Sequence, residues 1–182
     1  NSLYRKSLYK ICIQNDIEHK FFKKIDKKLI DYLTSLNPNW IISSTSTLLT
    51  KEFLQIPRFG VINLHEAPLP NYRGSASYFW FLINDEDEVW VTVFYVAEEL
   101  DAGDIICEGP KVKINPNHSV FKLWLQLFKS YEQIWNYLLP YLEDGKKIPS
   151  VCQSNKNVKN YSYPTHVAMN KLRKKKIKTL TI

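Results

Sequence analysis

Three cysteines in 182 residues, at positions 12, 107 and 152, are too few and too scattered for a disulfide framework. None stands in a Cys-x-x-Cys or Cys/His metal spacing, so no zinc site is indicated, and the thiols read as idle or buried. Methionine occurs once, at Met169, and does not open the chain. No apolar run approaches the length that spans a bilayer, and the N-terminus lacks the charged-then-apolar pattern of an export signal. Membrane and secreted classes are thereby disfavoured, and a cytoplasmic protein is expected. Internal repeats and long low-complexity linkers are also missing. What remains is a chain of one-domain length with 45% apolar residues, enough to bury a core.

The formal net charge of +7 suggests a nucleic-acid partner until its distribution is considered. Lys171, Arg173, Lys174, Lys175, Lys176 and Lys178 carry six of those charges within the last dozen residues, so the remainder is nearly neutral. This pattern is a basic tail on an ordinary domain. A solvated tail is the plainer reading, and contact with RNA or phosphate is the alternative.

Periodicity predicts a short strand over Tyr9–Gln14 and an amphipathic helix over Glu18–Leu36, ended by Asn37-Pro38. Strands are expected at Trp40–Ser43, Gly60–His65 and Trp90–Val96, and another at Asp104–Lys113 that turns at Gly109-Pro110. Short helices are expected at Thr47–Leu54, started near Ser46 or Thr47, and at Ala76–Asn84. One long helix is expected at Ser119–Leu142, capped by Asn117 or Ser119 and closed by Gly145. Alternation of strands with helical crossovers predicts an α/β fold with a mostly parallel sheet.

One constellation carries chemistry. Along Gly60–His65 side chains alternate, so Val61, Asn63 and His65 share one face while Ile62 and Leu64 share the other. An amide and an imidazole at the carboxyl end of a strand project toward the place where α/β sheets bind ligands. The loop after Val96 brings Glu98, Glu99, Asp101 and Asp104, with Gly103 allowing a tight turn or a close approach. Each residue alone has an ordinary structural reading, since Asp beside Gly is a common turn. An amide, an imidazole and a carboxylate together suit the attack of an amine on a carbonyl carbon.

Residues 57–74 (PRFGVINLHEAPLPNYRG) and 96–106 (VAEELDAGDII) resemble the folate-dependent formyltransferases, which include methionyl-tRNA, glycinamide ribonucleotide and amino-sugar members. The shared pattern is Asn63-x-His65, Leu69-Pro70-x-Tyr72-Arg73-Gly74 and Leu100-Asp101-x-Gly103, and the likeness covers most of residues 9–155. It implies a Rossmann-like sheet with helices on both faces. It also implies transfer of a formyl group from 10-formyltetrahydrofolate to a primary amine, without a metal. Catalysis would fall to Asn63, His65 and Asp101. Asn63 and protonated His65 would donate to the developing oxyanion, each such donor being worth roughly 3–4 kcal/mol. Asp101 would orient His65 or assist proton removal through water. By position, Thr47, Leu48, Leu49, Val96, Ala97, Glu98 and Glu99 would hold the folate, and Glu66 and Arg73 the acceptor.

The chain departs from the family pattern in two places. Glu66-Ala67 follows the histidine where the family commonly has Pro-Ser or Gly-Ser. The chain is also short at its start, as if the first two strands of the fold were missing, which would leave a sheet edge for dimerisation or residues 1–10 to cover. A catalytic domain over 1–155 and a C-terminal extension with a basic tail over 156–182 are expected. The acceptor is either methionyl-tRNA, reached through basic residues 171–178, or an amino sugar on a nucleotide. A non-catalytic folate- or RNA-binding relic, and hydrolysis of the formyl donor, are the competing readings.

Overall fold

The computed structural model describes residues 2–45, 47–115, 119–154 and 156–175. Ser46, Asn117, Lys176 and Lys178 lie outside them, and with them two of the candidate helix starts and part of the basic tail. Two compact units are present, divided between Leu36 and Asn37.

The first unit contains α1 (Ser2–Gln14) and α2 (Lys27–Leu36). The strand expected at Tyr9–Gln14 is therefore helical. The spacing of Leu8, Ile11 and Cys12 is that of a helix face, and it overlaps the brief alternation of Tyr9, Ile11 and Ile13. The helix expected from Glu18 begins only at Lys27. Asp26 fixes that start, its Oδ1 accepting from the backbone N–H groups of Lys28 (3.1 Å) and Leu29 (3.3 Å).

The second unit carries β1 (Trp40–Ser43), α3 (Lys51–Leu54), β2 (Gly60–His65), β3 (Arg73–Gly74), α4 (Ser77–Ile83), β4 (Glu88–Val89) and β5 (Thr92–Tyr95). There follow β6 (Ile105–Glu108), β7 (Val112–Lys113), α5 (Val120–Lys129), α6 (Tyr131–Glu143), β8 (Asn160–Tyr161) and α7 (His166–Lys174). The α/β class is as expected, and β1 and β2 have the expected bounds. The main sheet runs β1-β2-β5-β6. β1 and β2 are parallel, while β5 joins both β2 and β6 antiparallel. The last pairing follows from its short connection. Residues 96–104 form a loop without a helix, and only a crossover could have returned the chain parallel.

Register decides which side chains meet. Ile62 pairs with Tyr95 and Leu64 with Val93, so this face is apolar and packs into the main core with Phe81, Leu123, Leu127, Ile134 and Leu138. Asn63 pairs with Phe94 and His65 with Thr92 on the opposite face. The polar pair is thus held by a sheet whose other side is anchored in apolar contact.

Two helices differ from expectation at their starts or middles. α3 begins at Lys51 because the Thr50 hydroxyl accepts from the Phe53 N–H, which leaves residues 47–50 as an open stretch instead of a first turn. The single helix expected over Ser119–Leu142 is two. Ser119 caps α5 as expected, but the Ser130 hydroxyl donates to the Leu127 carbonyl at 2.6 Å and the chain restarts as α6. Gly145 closes α6 at φ +63°, with the Lys146 N–H reaching back to the Tyr141 carbonyl at 3.1 Å. Residues beyond 155 pack onto the same unit. β8 pairs with β3, and Ala168 and Leu172 of α7 enter the core.

Gly103 is required by proximity. A Cβ there would lie 1.7 Å from the Tyr95 carbonyl oxygen, which no side-chain rotation relieves. Gly103→Ala should therefore push the 96–104 loop off β5 and lower stability by about 1–3 kcal/mol or more. Chemical denaturation checks this, and an unchanged midpoint would contradict the packing described.

Candidate active site

The carboxyl ends of β1 and β2 open into a cleft of about 270 Å³. Ser43, Ser44, Thr45, Asn63, His65, Glu66, Tyr78, Val96, Ala97 and Asp101 contribute to its walls. Asn63 reaches it from β2, and its amide donates to no protein group among the described residues. Two residues on, the His65 Nε2 lies 2.7 Å from the Tyr72 carbonyl oxygen. A carbonyl can only accept, so Nε2 carries the proton. Nδ1 is then turned toward Asp101, 3.9 Å from its Oδ2, and both side chains are about nine-tenths buried. The separation is too long for a direct hydrogen bond.

Asp101 is held from several directions. Its Oδ2 accepts from the Gly74 N–H at 2.7 Å. Its backbone is left-handed, at φ +46°, a region that aspartate tolerates better than most residues. The Gln153 side-chain amide donates to the Asp101 carbonyl at 2.8 Å and to the Gly103 carbonyl at 2.7 Å.

Among the folate-side candidates, Thr47, Leu48, Leu49, Val96, Ala97 and Glu99 line the cleft. Glu98 is exposed and does not. Leu49 is also a core residue at 5% exposure, whereas Leu48 is exposed. Of the two acceptor-side candidates, Glu66 lines the cleft and Arg73 does not. The Arg73 guanidinium is buried and turned to protein. It donates to Gln153 Oε1 through Nη2 (2.8 Å) and Nε (3.3 Å), and to Glu99 Oε1 through Nη1 (3.3 Å).

The structure adds residues that the sequence reading passed over. Glu66 accepts from the Tyr131 hydroxyl at 2.9 Å and from the Tyr78 hydroxyl on its other oxygen. Both tyrosines lie in segments read only as helices, and their phenolic ends left no mark in the periodicity. Thr92, fully buried beneath the site, donates to the Ala67 carbonyl at 2.7 Å and accepts from the Leu69 N–H at 3.2 Å. It fixes the segment that follows His65. Gln153 stands in irregular chain and carried no signal at all.

Burial, followed by the nearby Glu66 carboxylate, pushes the Tyr78 and Tyr131 phenols well above the ordinary tyrosine value. Burial and a hydrogen bond to Glu86 do the same for Tyr72. These phenols remain proton donors, which keeps Glu66 paired as an acceptor.

Residues 5–134 match the formyl transferase family model. The chain belongs to the formyl transferase family. A methionyl-tRNA formyltransferase of Clostridioides difficile (strain 630) is 35% identical over 137 residues, covering 74% of this chain and 44% of that protein. The chain thus spans less than half the length of this relative. Among solved structures, a 4-N formyltransferase from Francisella tularensis superposes with a TM-score of 0.67 at 19% identity, covering 87% of this chain and 62% of that one. A formyltransferase from Anoxybacillus kamchatkensis, solved with UDP-4,6-dideoxy-4-formamido-L-AltNAc and tetrahydrofolate, gives 0.63 at 22% identity, covering 80% and 72%. These two likenesses are likenesses of fold.

The raised phenols fix the sign of one pH effect. The folded state holds these protons more tightly than the unfolded chain, so their stabilisation is complete below the unfolded tyrosine value of about 10 and is lost as pH rises above it. Stability should fall above about pH 10 by up to about 1.4 kcal/mol per pH unit for each phenol. Denaturation midpoints of wild type and Tyr131→Phe measure it. The variant should show the shallower slope, and equal slopes would contradict the raised phenol.

Proposed function

We propose that this chain transfers a formyl group from 10-formyltetrahydrofolate to a primary amine, with Asn63, His65 and Asp101 as its catalytic residues. The observation that carries this reading is the meeting of those three side chains in one cleft, with His65 and Asp101 at 3.9 Å. The relatives' activities and the folate bound by a structural neighbour support it.

The amine nitrogen attacks the formyl carbon, and the carbonyl electron pair moves onto oxygen. Asn63 donates to that oxygen with an amide free for the purpose. Because the Nε2–H of His65 is engaged with the Tyr72 carbonyl, Nδ1 is the nitrogen through which the protonated imidazole would donate a hydrogen bond to the reacting oxygen. Asp101, charged and fixed by the Gly74 N–H, holds the imidazolium and takes up the amine's proton through water. The oxyanion re-forms the carbonyl as the carbon–nitrogen bond to the folate breaks, Asp101 returns the amine's proton to the folate nitrogen through water, and tetrahydrofolate and the formamide leave. The residues around Thr47, Leu49, Val96 and Ala97 form the wall against which the flat pterin of the donor would lie. Glu66 offers an acceptor for the N–H groups of the incoming amine. Arg73 serves the loop carrying Asp101 instead of the acceptor. Methionyl-tRNA and a nucleotide-linked amino sugar both supply such an amine.

Asn63→Ala should lower kcat by roughly 100- to 1,000-fold, and His65→Ala should remove measurable transfer, both with circular dichroism unchanged. Transfer is measured from 10-formyltetrahydrofolate to a panel of amines that includes methionyl-tRNA and nucleotide-linked amino sugars. Wild-type turnover in His65→Ala would overturn the mechanism. Release of formate without any amine would replace transfer by hydrolysis.

A further inference from the structure

Arg73 presents a problem of charge. Its side chain is only 5% exposed, yet its sole carboxylate partner among the described residues, Glu99, is 76% exposed at the cleft mouth. A buried guanidinium needs its donors satisfied from within the protein. Here the internal partner is one neutral side chain, Gln153, whose Oε1 receives both Nε and Nη2.

That contact fixes the rest of the Gln153 amide. With Oε1 turned to Arg73, Nε2 must face the other way, and its two hydrogens go to the Asp101 and Gly103 carbonyls. These two carbonyls flank the turn in which Asp101 is left-handed and Gly103 lies against the Tyr95 carbonyl. The same turn aims the Asp101 carboxylate at the Gly74 N–H and at His65. Gly74 adjoins Arg73 on β3, so the loop is gripped three times from one two-residue strand. Two grips are direct, through the Gly74 N–H to Asp101 and through Arg73 to the exposed Glu99, and the third is relayed through Gln153.

We propose that Gln153 is a positioning residue for Asp101. The buried Arg73 orients its amide, and the amide in turn holds the backbone of residues 101–103 so that the carboxylate faces His65. This rests on the formyl-transfer reading for its catalytic consequence, but its structural half stands without it. Chain order hides the arrangement, since Arg73, Asp101 and Gln153 come from three distant segments. Gln153 itself lies two residues beyond Val151, whose backbone pairs with Ile105 at the base of the same loop.

Gln153→Glu separates the two ends of the amide. A carboxylate keeps the acceptor for Arg73, which preserves the buried pair and the fold, but it has no hydrogens for the two carbonyls. Gln153→Ala removes both ends. Amide hydrogen exchange at Gly74 reports the Asp101 contact without any assay of transfer. The Arg73 and Ser75 amides on either side donate to the Lys159 and Tyr161 carbonyls and serve as internal controls. In Gln153→Glu, Gly74 should exchange at least about 10-fold faster while Arg73 and Ser75 stay unchanged, an effect of local opening. kcat should drop by up to about 100-fold, the scale of a misplaced catalytic group, with KM for the folate donor held within about twofold. Unchanged Gly74 exchange in Gln153→Glu would overturn the proposal. Should all three amides exchange faster together in both variants, Gln153 would be a general structural residue and the proposal would also fall. Faster Gly74 exchange in a protein whose wild type transfers no formyl group would uphold the positioning and overturn the function proposed above.

Discussion

Asn63 pairs with Phe94 and His65 with Thr92 across the middle of the sheet, and the geometry of the cleft is referred to that register. A shift of one residue would turn the amide and the imidazole into the apolar core and expose Ile62 and Leu64 in their place. Such a slip would bury polar groups without partners and lose apolar contact at once, so the register is strongly specified. The chemistry at the strand end therefore depends on the core behind it. Phe81, Leu123, Leu127 and Leu138 have no part in the site, yet they determine which way His65 points.

Around that fixed pair the remaining groups arrive from loops, and each is held by hydrogen bonds to backbone. Thr92 holds the segment after His65, the Tyr72 carbonyl holds the imidazole, and the Gly74 N–H holds Asp101. Fixed backbone donors and acceptors need little reorganisation when charge moves, which is the property a site for oxyanion chemistry requires. Glu66 is the exception, gripped by two phenols from α4 and α6. It replaces the small residue that commonly follows the histidine in the family, and the two tyrosines supply what a charged side chain there needs.

Much of this was legible in the chain and some was not, for definite reasons. β1 and β2 could be bounded because each is a short, largely apolar run set between breakers, Asn37-Pro38 and Ser44 around the first and Pro57 and Pro68 around the second. Asn63, His65 and Asp101 could be expected in one place because side chains alternate along β2 and the glycine-bearing acidic loop follows a neighbouring strand, and they do line one cleft. The start of the chain misled, since a five-residue alternation around Ile11 overlaps an equally short helical spacing, and the two patterns share the same residues. The break at Ser130 was hidden because the apolar stripe continues across it, and one hydroxyl turned to a carbonyl leaves the pattern unaltered. Arg73 was placed in the motif and assigned to the acceptor. Only its burial shows that it turns to Gln153, and a lone glutamine in irregular chain has no periodicity to reveal it.

Lys175 gives the basic tail another meaning. Its ammonium donates to the Leu82 and Ile83 carbonyls, which end α4, and to Asp85 at 2.6 Å. A cation at the negative end of a helix dipole is a fastener, and this one ties the last described turn of the chain to the helix that carries Tyr78. The charge counted along the sequence thus overstates what the surface can offer to a polyanion. Part of what looks like an electrostatic lure is a clasp, and an RNA that drew Lys175 away would loosen one wall of the cleft it was meant to feed.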